Sequence, residues 1–180
     1  ADPNEQRRIL TYESPIEFVY DMIEGTNGEI VQTQIPEHLP SFARGVRNGM
    51  RRAPDAVFIG ELRDYETAHA AIEASMTGHL VFGTTHTKSI ADMIRRLVSL
   101  FPANEKNGAA KDLVDSMRLL INQTLVPSTE GKRVALREYL VITEELRDTL
   151  MDVDPDDLTK EIREALKQYG QPMAIDAKRK

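Results

Sequence analysis

Cysteine does not occur among the 180 residues, which excludes disulfides, thiolate metal sites and thiol nucleophiles and permits a reducing compartment. No tract of eighteen or more apolar residues is present, so no segment reads as a bilayer span. The opening ADPNEQRR lacks the apolar centre of a signal peptide, and a cytoplasmic location is expected. Basic residues are outnumbered, 23 Lys and Arg against 29 Asp and Glu for a net charge of -6. That balance argues against a generally basic nucleic-acid surface while leaving room for a local patch. A phosphate-cradling loop is missing too. Its pattern needs Gly, four residues, then Gly-Lys-Ser/Thr, and the one Gly-Lys pair, Gly131-Lys132, is followed by Arg133 and has Val126 where the first Gly belongs.

What is there is ordinary soluble composition, 41% hydrophobic and 29% charged, at a length that suits one domain with a small appendage and can bury a core. RRILTYESP is a strand-forming run stopped at Pro15, so a strand delivers Glu13 near its C-terminal end. A Gly-Asn-Gly turn signal within Gly25 to Gly28 precedes a second strand in GEIVQTQIP. In SFARGVRNGMRRAP, Phe42, Val46 and Met50 recur at helical spacing and Pro54 ends the helix. DAVFIGE and HLVFGTTH are continuous apolar runs, the mark of strands covered on both faces. Between them DYETAHAAIEASMTG is helical, with Asp64 as N-cap and Gly78 as the stop, and SIADMIRRLVSLF is an amphipathic helix begun at Thr87 or Ser89. Strands alternating with helices define an α/β class with a mainly parallel sheet.

Further on, Asn104 to Leu125 read as one long helix, and KRVALREYLVIT as a strand or hairpin at the sheet edge. A boundary is expected near residue 143, dividing a first region, 1–143, from a helical region, 144–180. The latter has Asp154 as N-cap of a last helix with Pro155 at its first position. Its apolar positions Leu146, Leu150, Leu158, Ile162 and Leu166 suffice to dock on a neighbouring surface and are thin for a core of their own. AIDAKRK reads as a frayed tail.

In open parallel sheets ligands bind beyond the carboxyl ends of the strands, where Glu13, Glu61 and His86 all emerge. A carboxylate there can orient a water or hold a hydrated magnesium ion for phosphoryl transfer. The competing reading of Glu61 is a surface carboxylate paired with Arg63. His79 and His86 bracket one strand and need not meet, so a shared metal site is not expected, and for each the plain alternative is a capping or buried imidazole. His38 and His69 read as structural. Arg44, Arg47 and Arg51 form one helical stripe, suited to phosphates of nucleic acid or of a nucleotide on a neighbouring subunit, or to nothing beyond solvent.

Three motifs in order, TYESPIEF, PDAVFIGELRD and TGHLVFGTTHT, resemble the Asp box, atypical Walker B and His box of the secretion ATPases of type II, type IV and type IV pilus systems over residues 8 to 143. TYESPIEFVYD and GVRNGMRRAPD look closer to the ATPases of type IVB secretion and plasmid conjugation than to pilus retraction motors. The resemblance implies a RecA-like fold. It implies ATP and Mg2+ as cofactors, with Glu61 polarising the attacking water and Gly60 where many other ATPases carry a magnesium-binding Asp. Glu13 supports the magnesium through water with Glu17 as companion, His79 and His86 sense the terminal phosphate, and Arg47 and Arg51 lie toward a subunit boundary. Glu13-Ser14-Pro15 replaces the family's usual Glu-Asp-Pro, which leaves Glu13 more of the metal-side duty.

Because the family's phosphate loop lies upstream of these boxes, the chain is expected to be the C-terminal part of a larger ATPase and inactive alone. The parent is then a homo-hexamer in the cytoplasm, peripherally associated with the inner membrane and its secretion or pilus machinery, without direct nucleic-acid binding. The alternative is a non-catalytic nucleic-acid-binding or assembly module on the same fold.

Overall fold

Apolar residues at alternate positions place Leu10 and Tyr12 of β1 (Arg8–Glu13) on one side of the strand, while Thr11 and Glu13 share the other. β2 (Glu29–Gln34) pairs with β1 in parallel, setting Thr11 opposite Gln32 and Glu13 opposite Gln34. β3 (Ala56–Ile59) lies parallel on the other side of β1 with Tyr12 opposite Ile59. β4 (Leu80–Gly83) completes a four-stranded sheet of order β2-β1-β3-β4. The α/β class and parallel sheet stand as expected. The computed structural model describes residues 7–20, 28–128 and 131–173 and divides into two compact units, 1–85 and 86–180. Most of the expected turn at Gly25 to Gly28, and the terminal AIDAKRK, lie outside the described residues.

In the first unit, α1 (Phe42–Gly49) starts at Ser41, whose hydroxyl accepts from the Arg44 amide. It tightens into a 3-10 turn over Met50–Arg52 and stops at Ala53, with φ of 47°. α2 (Tyr65–Met76) is capped by the Asp64 carboxylate, which accepts from the Thr67 amide at 2.8 Å, and Gly78 follows with φ of 92°, as the sequence predicts. Leu10, Tyr12, Ile35, Phe42, Val46, Val57 and Ile59 are the large members of the core, with Ala70, Ala71 and Ala74 of α2. Full burial contributes about 1.5–3 kcal/mol for each large aliphatic or phenyl side chain. β4 differs from expectation. Leu80 and Phe82 are each 52% exposed, because β4 is the outer strand of the described sheet and is not covered on both faces.

The second unit holds α3 (Ile90–Ser99), α4 (Lys106–Ser116), an antiparallel pair of β5 (Leu119–Pro127) and β6 (Arg133–Val141), α5 (Glu144–Met151) and α6 (Leu158–Tyr169). The helix expected to run to Leu125 ends at Ser116, and Leu119 begins a strand. Burial alternates from there, Leu120 and Asn122 in, Leu119 and Ile121 out, a period of two that a helix cannot satisfy. The hairpin forms its own two-stranded sheet and does not edge the parallel one. α6 is preceded by Asp157, not Asp154; the Asp154 carboxylate instead accepts from the Asp156 amide in the turn before it. Leu146, Leu150, Leu158 and Ile162 are buried inside this unit, and α6 packs on α3 and β6. The compact units thus divide between Thr85 and His86, whereas the sequence places its boundary near 143.

Candidate active site

The register of β1 brings two polar neighbours to Glu13. The Thr11 hydroxyl, two residues before it on the same face and buried, donates to Glu13 Oε1 at 2.6 Å. Across the strand pair, Gln32 Nε2 donates to the same oxygen at 2.9 Å. Both bonds fall on Oε1, and among the described residues Oε2 has no hydrogen-bond partner. The carboxylate is therefore oriented by two donors, with its second oxygen free of hydrogen bonds among the described residues.

The same glutamine ties down the loop after β1. Its Nε2 also donates to the Phe18 carbonyl at 2.8 Å, and its Oε1 accepts from the Tyr20 amide at 2.8 Å. Gln34 Oε1 accepts from the Ile16 amide at 3.1 Å. Glu17, exposed in this loop, is thereby bracketed by backbone anchors on both sides. Sequence reasoning missed Thr11, Gln32 and Gln34. The signal was the period of two: Thr11 and Glu13 share a face of β1, and Gln32 and Gln34 share a face of β2.

Glu61 follows the end of β3, the strand that adjoins β1. The Gly60 amide donates to the Tyr12 carbonyl at 2.8 Å, continuing the β1–β3 ladder by one residue. A Cβ at position 60 would come within 3.0 Å of the Tyr12 carbonyl oxygen and 3.4 Å of Glu13 Cα. Glycine lets the two strand ends close together here, and an aspartate at this position would force them apart. Arg63 Nη1 stands 3.7 Å from Glu61 Oε2, with 54% and 26% of the two side chains exposed. That spacing is too long for a direct hydrogen bond, and a half-exposed pair is worth at most about 1 kcal/mol. Glu61 is not consumed by its ion pair. At the same edge Thr84 Oγ1 donates to the Gly60 carbonyl, and the buried Thr85 hydroxyl has no partner among the described residues.

The other predicted residues fall elsewhere. His79 precedes Leu80, at the N-terminal end of β4, so it lies at the sheet edge opposite Glu13 and Glu61. Its Nδ1 is 3.2 Å from the Ala74 carbonyl and 3.3 Å from Thr77 Oγ1, which makes it a cap on the last turn of α2. Arg51 sits in the 3-10 turn whose Arg52 carbonyl accepts from Arg8 Nη1 at 2.9 Å, again by the N-terminal edge. Arg44 and Arg47 are exposed on α1. His86 does not end β4: the strand stops at Gly83, and His86 is exposed at the start of the second unit. His38 Nδ1 accepts from the Gln34 amide at 3.0 Å, and His69 lies against the Tyr65 ring at 5.7 Å. Among the described residues no three His, Asp or Glu form a metal cage. Glu13, with one oxygen free of hydrogen bonds among the described residues, suits a hydrated magnesium ion, which keeps several waters and takes one or two protein oxygens.

Residues 3–147 match the model of the Type II/IV secretion system protein family, and the chain belongs to it. It is 40% identical over 144 residues to the type IV pilus retractation ATPase PilT of Pseudomonas aeruginosa, covering 80% of this chain and 41% of that protein. The structure of the Legionella pneumophila ATPase DotB superposes with a TM-score of 0.91 at 51% identity, over 96% of this chain and 47% of that one. The pilus retraction motor PilT, solved with bound ADP, gives 0.79 at 32% identity over 92% and 46%. The chain therefore spans less than half the length of each of these relatives. The sheet is that of the RecA-like secretion ATPases, and the relatives are secretion and pilus ATPases. Among the described residues no helix is long and apolar enough to cross a membrane.

Proposed function

We propose that this chain is the C-terminal part of a hexameric motor ATPase that acts at the cytoplasmic face of the inner membrane and uses ATP and Mg2+ to power type IV secretion, conjugative transfer or pilus dynamics. The observation that carries it is the pair Glu13 and Glu61, held at adjoining parallel strand ends by the Gly60 amide to Tyr12 carbonyl bond and left without strong neutralising partners. When bound, magnesium-ATP supplies the electrophilic phosphorus and its coordinated waters. Glu61 would orient the attacking water and take up its proton as the new P–O bond forms and the P–O bond to the departing ADP breaks. Glu13, turned by Thr11 and Gln32, offers Oε2 to the ion's water shell, with Glu17 as a second carboxylate in the tethered loop. His86, on the segment that leaves β4, is assigned to sensing the terminal phosphate, and Arg47 and Arg51 to a neighbouring subunit. His79 keeps only an indirect role, through the last turn of α2.

The grip on the phosphates belongs to a segment that this sequence does not contain, so the 180-residue chain alone is expected to release no phosphate. The test is phosphate release by the full-length protein. Magnesium-dependent turnover that falls at least about 100-fold in Glu61→Gln supports the reading, since removal of a single transition-state group costs about that much. Turnover unchanged in Glu61→Gln overturns it.

A further inference from the structure

The second unit contains a buried polar pair that the proposed chemistry does not use. Asn122 of β5 and Glu138 of β6 stand directly opposite in the hairpin register and are 7% and 8% exposed. Neither serves its own strand. Asn122 Nδ2 donates to the Lys88 carbonyl at 2.9 Å, and Glu138 Oε1 accepts from the Ile90 amide at 2.8 Å. The two side chains are joined to each other, Asn122 Nδ2 to Glu138 Oε1, at 3.3 Å.

The groups they hold are the peptide units on either side of Ser89, the N-cap of α3. Ser89 closes its own cap locally, accepting from the Asp92 amide at 3.1 Å and donating to Asp92 Oδ2 at 2.9 Å. That cap satisfies the Asp92 amide, while the Ile90 amide at the first helical position is left to Glu138 of the hairpin. Burying a carboxylate and an amide is costly, and an apolar pair of the same size would serve a hairpin core at least as well. What the polar pair adds is position: one donor and one acceptor of the incoming backbone are fixed to the hairpin, and the negative charge sits where the helix dipole favours it. Only Thr87 separates His86 from Lys88, and Thr87 Oγ1 donates to the Ser89 carbonyl at 3.3 Å.

We infer that Asn122 and Glu138 are positioning residues for His86, clamping the segment Lys88 to Ile90 so that the imidazole is presented from a fixed stem. This rests on the reading of His86 as a phosphate sensor.

The experiment is a double-mutant cycle in the full-length protein, measuring kcat and KM for ATP in wild type, Asn122→Leu, His86→Ala and the double variant, with Glu138→Gln as the conservative change that keeps an acceptor for Ile90. The expected result is a kcat lowered about tenfold by Asn122→Leu with KM within about twofold. Adding Asn122→Leu to His86→Ala should cost less than about twofold further, since residues acting through one group are not additive. Glu138→Gln should keep most of the wild-type rate. Effects of Asn122→Leu and His86→Ala that multiply, or a Glu138→Gln rate as low as that of Asn122→Leu, overturn the inference while leaving the proposed function intact. A wild-type protein without turnover, or one indifferent to His86→Ala, overturns the reading beneath it. Should Asn122→Leu fail to fold, Glu138→Gln in the two His86 backgrounds decides alone: a loss that persists undiminished in His86→Ala counts against the clamp, and a full rate beside faster hydrogen exchange at the Ile90 amide counts against it equally.

Discussion

Tyr12 is 3% exposed, and burial of the ring raises its hydroxyl above the ordinary 10.0, with the nearby Arg52 charge pulling weakly the other way. A raised acid holds its proton in the folded state where the unfolded chain has lost it, so the native protein binds more protons above the ordinary value. Stability should therefore be level below about pH 10 and fall as the pH climbs through the folded value. Urea unfolding between pH 8 and 11 should show this decline in wild type and a shallower one in Tyr12→Phe. On the opposite face of the same strand, Thr11→Val keeps the shape and removes one donor from Glu13. A loss of about 1 kcal/mol in stability is expected, with a drop of about tenfold in full-length turnover, as a misplaced first carboxylate entails. Gln32→Glu should be worse, because it replaces the second donor with a like charge and frees the loop around Glu17. Comparing the magnesium dependence of the two variants separates orientation from charge: only Gln32→Glu should shift the magnesium needed for half-maximal rate.

Helix α1 meets that strand through two glycines. A Cβ on Gly45 would lie 2.5 Å from Tyr12 Cδ1, and one on Gly49 would strike the Tyr12 hydroxyl. Gly→Ala inside an exposed helix gains up to about 1 kcal/mol from propensity, yet here the added methyl overpacks a buried ring at a cost of about 1–3 kcal/mol. Thermal melts should show Gly45→Ala and Gly49→Ala destabilised, and Gly45→Ala partly rescued by Tyr12→Leu. At this level much was readable in the sequence. Cap residues Asp64 and Ser89, the stop at Gly78 and the strand end at Glu13 all follow from local backbone chemistry and appear where expected. What local pattern could not supply was the change of period at Met117. The run from Leu119 to Pro127 is apolar enough for either element, and it is the antiparallel partner β6, the next element along the chain, that selects the strand. For His79 the capping imidazole that the sequence offered as the plain alternative is what the last turn of α2 engages.

At the scale of the molecule, the C-terminal helices are part of a core. Leu150, Leu158 and Ile162 are 2%, 2% and 0% exposed within the second unit, and removing such side chains costs about 2–5 kcal/mol each. Deleting residues 144 to 180 should therefore unfold the second unit instead of merely loosening a ring, while the first unit's core, built from Leu10 to Ala74, persists. Amide spectra of the deletion should keep dispersed signals for β1 to β4 and lose them for α3 and the hairpin; dispersed signals throughout would refute this. The proposed ring assembly is better probed by charge reversal at Arg47, which is exposed and outside the core. The sequence could place Glu13 and Glu61 together because parallel strands share an edge, a rule of topology. It could not say that the chain divides after Thr85, since that depends on which helices the hairpin recruits. The outer strand carries a practical consequence. Leu80 and Phe82, half exposed along a backbone edge that is unpaired among the described residues, offer a ready template for intermolecular strand pairing. In concentrated solution the isolated 180-residue chain should therefore cloud on standing, and a lysine in place of Phe82 should keep it clear.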